Sequence, residues 1–237
     1  MRTLRPCGRM KSQEVTTVVI ITHNYGHFLR GAIESVLNQT RRPRMVVIDD
    51  ASEDSTPEIM QGVLRDFKGE LIYRRFESCQ GLSRVRNFAA ERVDTERLIY
   101  LDADDWLKND FIEKGEDWLE AHPEVDALTT DMCVVFPSGN RRTLRSQIPS
   151  SWKKLLRRNT IFQTSLIRRQ MILELGAYDP NLHYEDWDFW IRAMKAGYKI
   201  GRLPGAYVFR REHGSNKSRT CPIAEAELEI RERHRNK

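Results

Sequence analysis

The 237-residue chain contains four cysteines, Cys7, Cys79, Cys133 and Cys221. They lie far apart with no Cys-x-x-Cys spacing, which excludes a zinc knuckle and a redox pair and leaves reduced, ordinary thiols as the expectation. No stretch approaches the roughly 20 apolar residues that span a bilayer, and runs such as Val18–Ile21 are strand-sized. No Gly- or Ser-rich linker and no internal repeat divides the chain. Residues 1–11 carry Arg2, Arg5, Arg9 and Lys11 without an apolar segment after them, so a secretory layout is missing and a cytoplasmic location is expected.

A surplus of one charge sign is also lacking where it would matter. The net charge is +5, yet residues 1–14 hold four basic against one acidic side chain, and residues 210–237 hold eight against five. The body between them is close to neutral, which excludes a basic nucleic-acid platform. The basic ends are expected to be solvated tails or a contact for acidic partners or anionic lipid, so a peripheral membrane position is compatible with them. The expected organisation is a flexible basic segment at 1–14, one domain at 15–216, and a charged helix or tail at 217–237.

What is present is a β-α-β alternation. Residues 15–21 are β-branched and nearly continuous, as in a strand covered on both faces. Phe28, Leu29, Ala32, Ile33, Val36 and Leu37 follow at helical spacing before the 40–43 break. Met45–Ile48 reads as a second buried strand, and Ile59, Val63 and Leu64, with Phe67 after them, as the next helix. Short strands at 71–73 and 98–101 enclose a helix carrying Leu82, Val85, Phe88 and Ala89. Later, residues 127–136 predict a strand, 137–140 a turn, 150–158 a short basic helix and 184–196 a helix with Trp187, Trp190, Ile191 and Met194 on its buried stripe. This pattern predicts an α/β layer fold with a mostly parallel, Rossmann-like sheet flanked by helices, which takes its ligand beyond the carboxyl ends of the strands.

Two of those strand ends are acidic: Asp49 and Asp50 after the second, and Asp102, Asp104 and Asp105 after the fourth. Each acid alone is equally well read as a cap or turn former. Together on one sheet edge they repel unless a cation joins them, and a divalent ion holding a diphosphate meets that need.

Five segments in order then resemble glycosyltransferase family 2 of the GT-A fold: VVIITHNYGHFL at 18–29 with ESVLNQT at 34–40, VIDDASEDST at 47–56, GLSRVRNFA at 81–89, LDADD at 101–105, and Glu185 with Asp186. The resemblance implies an inverting, metal-assisted transfer of a sugar from a nucleoside-diphosphate donor, UDP-linked by expectation, to a hydroxyl of a carbohydrate or other acceptor. It places Thr22, His23, Asn24 and Asp50 at the nucleoside, with His23 where many relatives have Tyr. It places Arg86 at the base or diphosphate, Asp102 at the ribose or metal shell, and Asp104 with His213 at Mn²⁺ or Mg²⁺. Asp186 is the expected general base and Glu185 its orienting partner. The rival readings are a nucleotidyltransferase, against which the loop at 22–27 offers one Gly and no Lys or Arg, and a silent nucleotide-sugar-binding module.

Overall fold

The computed structural model describes residues 15–66, 71–214, 216 and 222–235. The basic segment at 1–14 and Phe67 lie outside the described residues. The elements, in chain order, begin with β1 (Thr16–Thr22), α1 (Gly26–Leu37), β2 (Arg44–Asp49), α2 (Thr56–Asp66), β3 (Leu71–Arg75), α3 (Leu82–Arg92) and β4 (Arg97–Asp102). They continue with β5 (Trp106–Leu107), α4 (Phe111–Ala121), β6 (Ala127–Val135), β7 (Arg141–Leu144), α5 (Trp152–Leu155), β8 (Leu166–Arg168) and α6 (Arg169–Glu174). The last are α7 (Glu185–Lys195), β9 (Ile200–Arg211) and α8 (Ile223–Arg235).

All strands share one sheet in the order β3-β2-β1-β4-β8-β6-β9-β5, with β7 paired to β6. The long pairings, β1 with β2 and β4, β2 with β3, and β6 with β9, are parallel. The antiparallel pairings of β8, β5 and β7 are short. The expected mostly parallel α/β sheet is therefore present.

Period-two alternation divides the core. On one face of the sheet Val18, Ile20, Met45, Val47, Ile99 and Leu101 pack with α1, α2 and α4. On the other, Val19, Ile21, Val46, Ile48, Leu98 and Tyr100 pack with α3, α6 and α7. Because both faces are covered, β1 and β2 are buried along their whole lengths. That is why they read as continuous apolar runs.

Two expectations change, and two features go beyond what the sequence pattern gave. In α2 the inward residues are Thr56, Met60 and Val63, while Leu64 is 42% exposed. The basic helix at 150–158 shortens to α5, because Arg157 and Arg158 donate to the carbonyls of Lys154 and Leu155 three residues back and tighten the backbone beyond an α-turn. The late strand β9 was not legible, since Pro204 and Gly205 interrupt its pattern. The sheet absorbs them in a register shift at Thr130 and Asp131, where Asp131 accepts from Arg202 and the Gly205 N–H. Finally, of the helix or tail expected at 217–237, residues 223–235 form a helix docked on the core.

That helix, α8, inserts Ile230 into the core beside Trp187 and Phe189. Its last turn closes on Asp188, fully buried on α7, which meets His234 Nε2 at 2.8 Å, Arg233 Nε at 3.0 Å and Arg192 Nε at 2.7 Å. Burial alone would raise the Asp188 pKa, but the His234 hydrogen bond and the charges of Arg192 and Arg233 outweigh it and hold the carboxyl below its ordinary 3.8. A depressed folded-state pKa means stability that is full above the ordinary, unfolded-state value and lost as pH falls through the folded one. Asp188→Asn should cost about 3 kcal/mol at neutral pH, the low end for removing one partner of a buried pair because Arg192 and Arg233 keep access to water. Urea unfolding at neutral pH and near pH 3 checks this: the variant should lose less stability on acidification than the parent, and equal losses would discount the pair. Among the described residues no helix is long and apolar enough to cross a membrane.

Candidate functional site

Strands β1, β2 and β4 end level with one another. Thr22 is in register with Asp49, and Ile21 with Asp102, so the carboxylates the sequence placed at two strand ends open on one edge. The chain winds from β1 outward to β3 and returns to the far side of β1 as β4. This reversal is the switch point at which open α/β sheets bind ligands.

The loops at this edge are held in uncommon conformations. Asn24 and Ala51 have φ of 61° and 59°, a region that costs non-glycine residues free energy and collects at functional sites. Asn24 is locked by Ser52 Oγ on its N–H and by the Glu53 N–H on its Oδ1. His23 Nδ1 lies 2.7 Å from the Asp50 carbonyl oxygen. A Cβ at Gly26 would sit 2.9 Å from the Thr56 nitrogen, so glycine permits the two loops to touch. The Thr22 hydroxyl is buried without a partner, a polar atom left for a ligand at the rim.

The neighbouring acids differ in role. Asp49 is consumed inside the fold by the Ser52 N–H, the Tyr73 hydroxyl and Arg75. Asp50 accepts the Gln80 and Gly81 N–H groups and the Cys79 thiol, which orders the loop before α3 and leaves one of four carboxylate lone-pair sites for a further donor.

Across β1, the oxygens of Asp102, Asp104 and Asp105 lie within 4.8 Å of one another. Asp104 Oδ2 meets His213 Nε2 at 2.9 Å and Asn216 Nδ2 at 3.3 Å, so the late His and the acid 109 positions before it are brought together. The His213 ring packs on Tyr25 and Phe28 of the first loop and helix. Burial, then the charges of Asp104 and Asp102, push Asp105 well above the ordinary carboxylate range. A cation relieves that repulsion. Oxygen ligands with one imidazole suit Mn²⁺, and Mg²⁺ if the oxygens alone bind.

The third component comes from the start of α7. Arg86 is buried. Its Nη1 lies 2.6 Å from Glu185 Oε1 and its Nη2 3.8 Å from Asp102 Oδ1. Burial opposes its charge, yet Glu185 and Asp102 outweigh burial and raise its pKa. With Glu185 spent on Arg86, Asp186 remains the acid that faces open space. It lines a cleft of about 290 Å³ together with Asp102, Asp105, Asn159, Gln163 and Arg210. Its Oδ1 accepts its neighbour's N–H and its Oδ2 accepts from Asn159 at 3.1 Å. Burial first, and the adjacent Glu185 charge second, push its pKa up to about 6.

The structure thus gathers Thr22, His23, Asn24 and Asp50 on the β1 and β2 side of the edge and Asp102, Asp104 and His213 beyond the end of β4, with Asp186 lining the same cleft as Asp102 and Arg86 paired with both Glu185 and Asp102. Sequence reasoning missed Asn159 and Asn216. Single asparagines in polar loops carry no periodicity or cluster that would mark them, and only their contacts with Asp186 and Asp104 do.

The model of the glycosyl transferase family 2 matches residues 17–181. The teichoic acid poly(glycerol phosphate) polymerase of Staphylococcus epidermidis is 24% identical over 224 residues, 90% of this chain and 30% of that protein. The structure resembles S. aureus TarS in complex with UDP-GlcNAc at a TM-score of 0.73 and 20% identity, covering 91% of this chain and 64% of the other. A mannosyltransferase from Pyrobaculum calidifontis in complex with GDP-Man and Mn²⁺ gives 0.65 and 18%, covering 84% and 57%. The chain spans less than two thirds of each of these three proteins.

Proposed function

The chain belongs to glycosyl transferase family 2, and from that premise we propose that it transfers a sugar from a nucleoside-diphosphate donor, UDP-linked, to an acceptor hydroxyl with inversion at the anomeric carbon. The observation that carries the reading is the single cleft lined by Asp186 together with Asp102 and Asp105. A carboxylate whose pKa is raised into the range of a base thereby shares one space with the acids that a metal-bound diphosphate would approach, which supports the reading.

Asp186 takes the acceptor proton as the acceptor oxygen bonds to the anomeric carbon and the bond to the diphosphate oxygen breaks. Asn159 fixes the carboxylate's orientation, and the Glu185–Arg86 pair stands behind it. Thr22, His23, Asn24 and Asp50 receive the nucleoside. Asp104 and His213, with Asp102 beside them, would hold Mn²⁺ or Mg²⁺, which when bound supplies charge to steady the diphosphate.

Thermal unfolding with UDP, GDP and Mn²⁺ tests the donor half. A native-state ligand at a hundredfold excess over Kd adds about 2.7 kcal/mol, which for a domain of this size is a Tm rise of several degrees. UDP with Mn²⁺ should give it and UDP with EDTA should give much less. A larger response to GDP would reassign the base, and no response to either nucleotide would sink the donor site. Release of UDP only when acceptor is present would separate transfer from silent binding.

A further inference from the structure

The acceptor side of the cleft carries a charge pattern that the transfer chemistry does not need. Between Asp131 and Glu174 there is no acidic residue over 42 positions, in a chain with 34 acids among 237 residues. Within that span Arg141, Arg142 and Arg145 lie on or beside β7. Lys153, Lys154, Arg157 and Arg158 lie on or just after α5. All seven are exposed. None forms an ion pair among the described residues, whereas Lys108, Lys114 and Arg233, also exposed, are paired.

The segment is anchored to the site at several points. Leu144 lines the cleft, and Arg142, two residues before it, shares its face of β7. Gln147 and Thr160 close the neck of the loop by hydrogen bonds in both directions. The Trp187 indole of α7 donates to the Leu155 carbonyl at 2.9 Å. Arg158 directly precedes Asn159, the residue bonded to Asp186. A rim of unpaired cations is thereby held rigidly beside a cleft floor of carboxylates.

Resting on the transferase reading above, we infer that the acceptor is anionic: a phosphate-bearing chain whose hydroxyl reaches Asp186 while its phosphates lie on the β7–α5 rim. A neutral glycan gains nothing from Arg142 and the four cations of α5 and the turn after it. A phosphate chain does, because the acidic floor repels it and the rim offsets that repulsion while steering it in. Arginine suits this task, since its planar fork matches phosphate oxygens.

The test uses the full chain and a fluorescein-labelled oligo(glycerol phosphate), compared by anisotropy with a neutral dextran oligomer of equal length. The phosphate probe should bind at least about tenfold more tightly, and its affinity should fall as salt screens the exposed charges. Lys153→Gln, Lys154→Gln, Arg157→Gln and Arg158→Gln combined, all at exposed positions, should weaken it roughly tenfold or more. The same variant should keep the parental Tm and the parental response to UDP with Mn²⁺. Equal binding of charged and neutral probes, or undiminished binding by the variant, would overturn the inference. So would rim-dependent binding to vesicles containing phosphatidylglycerol with none to the oligomer, because the rim would then be a membrane contact. Failure of the UDP response in the parent chain would instead count against the donor site, so the two readings fail separately.

Discussion

Asp186→Asn should lower turnover about 10²–10⁴-fold, the usual contribution of a positioned general base, while UDP affinity in the presence of Mn²⁺ stays within a few-fold. The amide keeps the size of the carboxylate and one acceptor oxygen, enough for either the Trp187 N–H or Asn159 but not both, so the cleft keeps its shape while basicity and one hydrogen bond are lost. The pH profile adds a second signature. Burial and the adjacent Glu185 push the Asp186 pKa up to about 6, and the base acts only when deprotonated. The parent kcat/KM should therefore rise about tenfold per pH unit below that value and level off above it, and the variant should lose this limb. Turnover within a few-fold of the parent at saturating substrates would move the role to Glu185. Loss of UDP binding would place Asp186 in the donor site.

Asp104→Asn should do the opposite. Removing one negative oxygen from the group shared with His213 and Asn216 should weaken Mn²⁺-dependent UDP binding by about 100-fold or more, since even outer contacts of metal sites contribute 10–100-fold. The fold should persist, because Asn can still accept from Asn216 and the core packs elsewhere. Calorimetry of UDP with and without Mn²⁺ gives the answer, and an unchanged metal-dependent affinity in a folded variant would remove Asp104 from the assignment. The pair of variants separates chemistry from binding in a way neither does alone.

Much of this was legible in the sequence because strand ends in this fold are marked by abrupt changes of residue type. Val46–Ile48 running into Asp49 and Asp50, and Ile99–Leu101 running into Asp102, announce both the strand and the edge where it stops. The helix α7 was readable from its apolar stripe and its acidic first turn. Long-range pairings were not readable. Nothing near Arg86 announces Glu185, 99 positions away, and nothing near Asp188 announces His234. The strand β9 was hidden by Pro204 and Gly205, which a bulge accommodates only because Asp131 is there to accept the freed donors. Leu64 misled because a single apolar residue on a helix flank satisfies the period without being buried.

The register of the central strands bears on how such a protein can vary. Val18 and Ile20 belong to one helical layer and Val19 and Ile21 to the other, and the same register sets Asp49 and Asp102 at the rim. Deleting or inserting one residue inside β1, β2 or β4 exchanges the two layers and shifts a carboxylate off the edge at the same stroke. Length changes are thus confined to the connections, and those on either side of β7 and α5, between β6 and β8, border the cleft. New acceptor preferences can arise there by lengthening or recharging a loop, while the strands that aim the acids tolerate substitution but not a change in count.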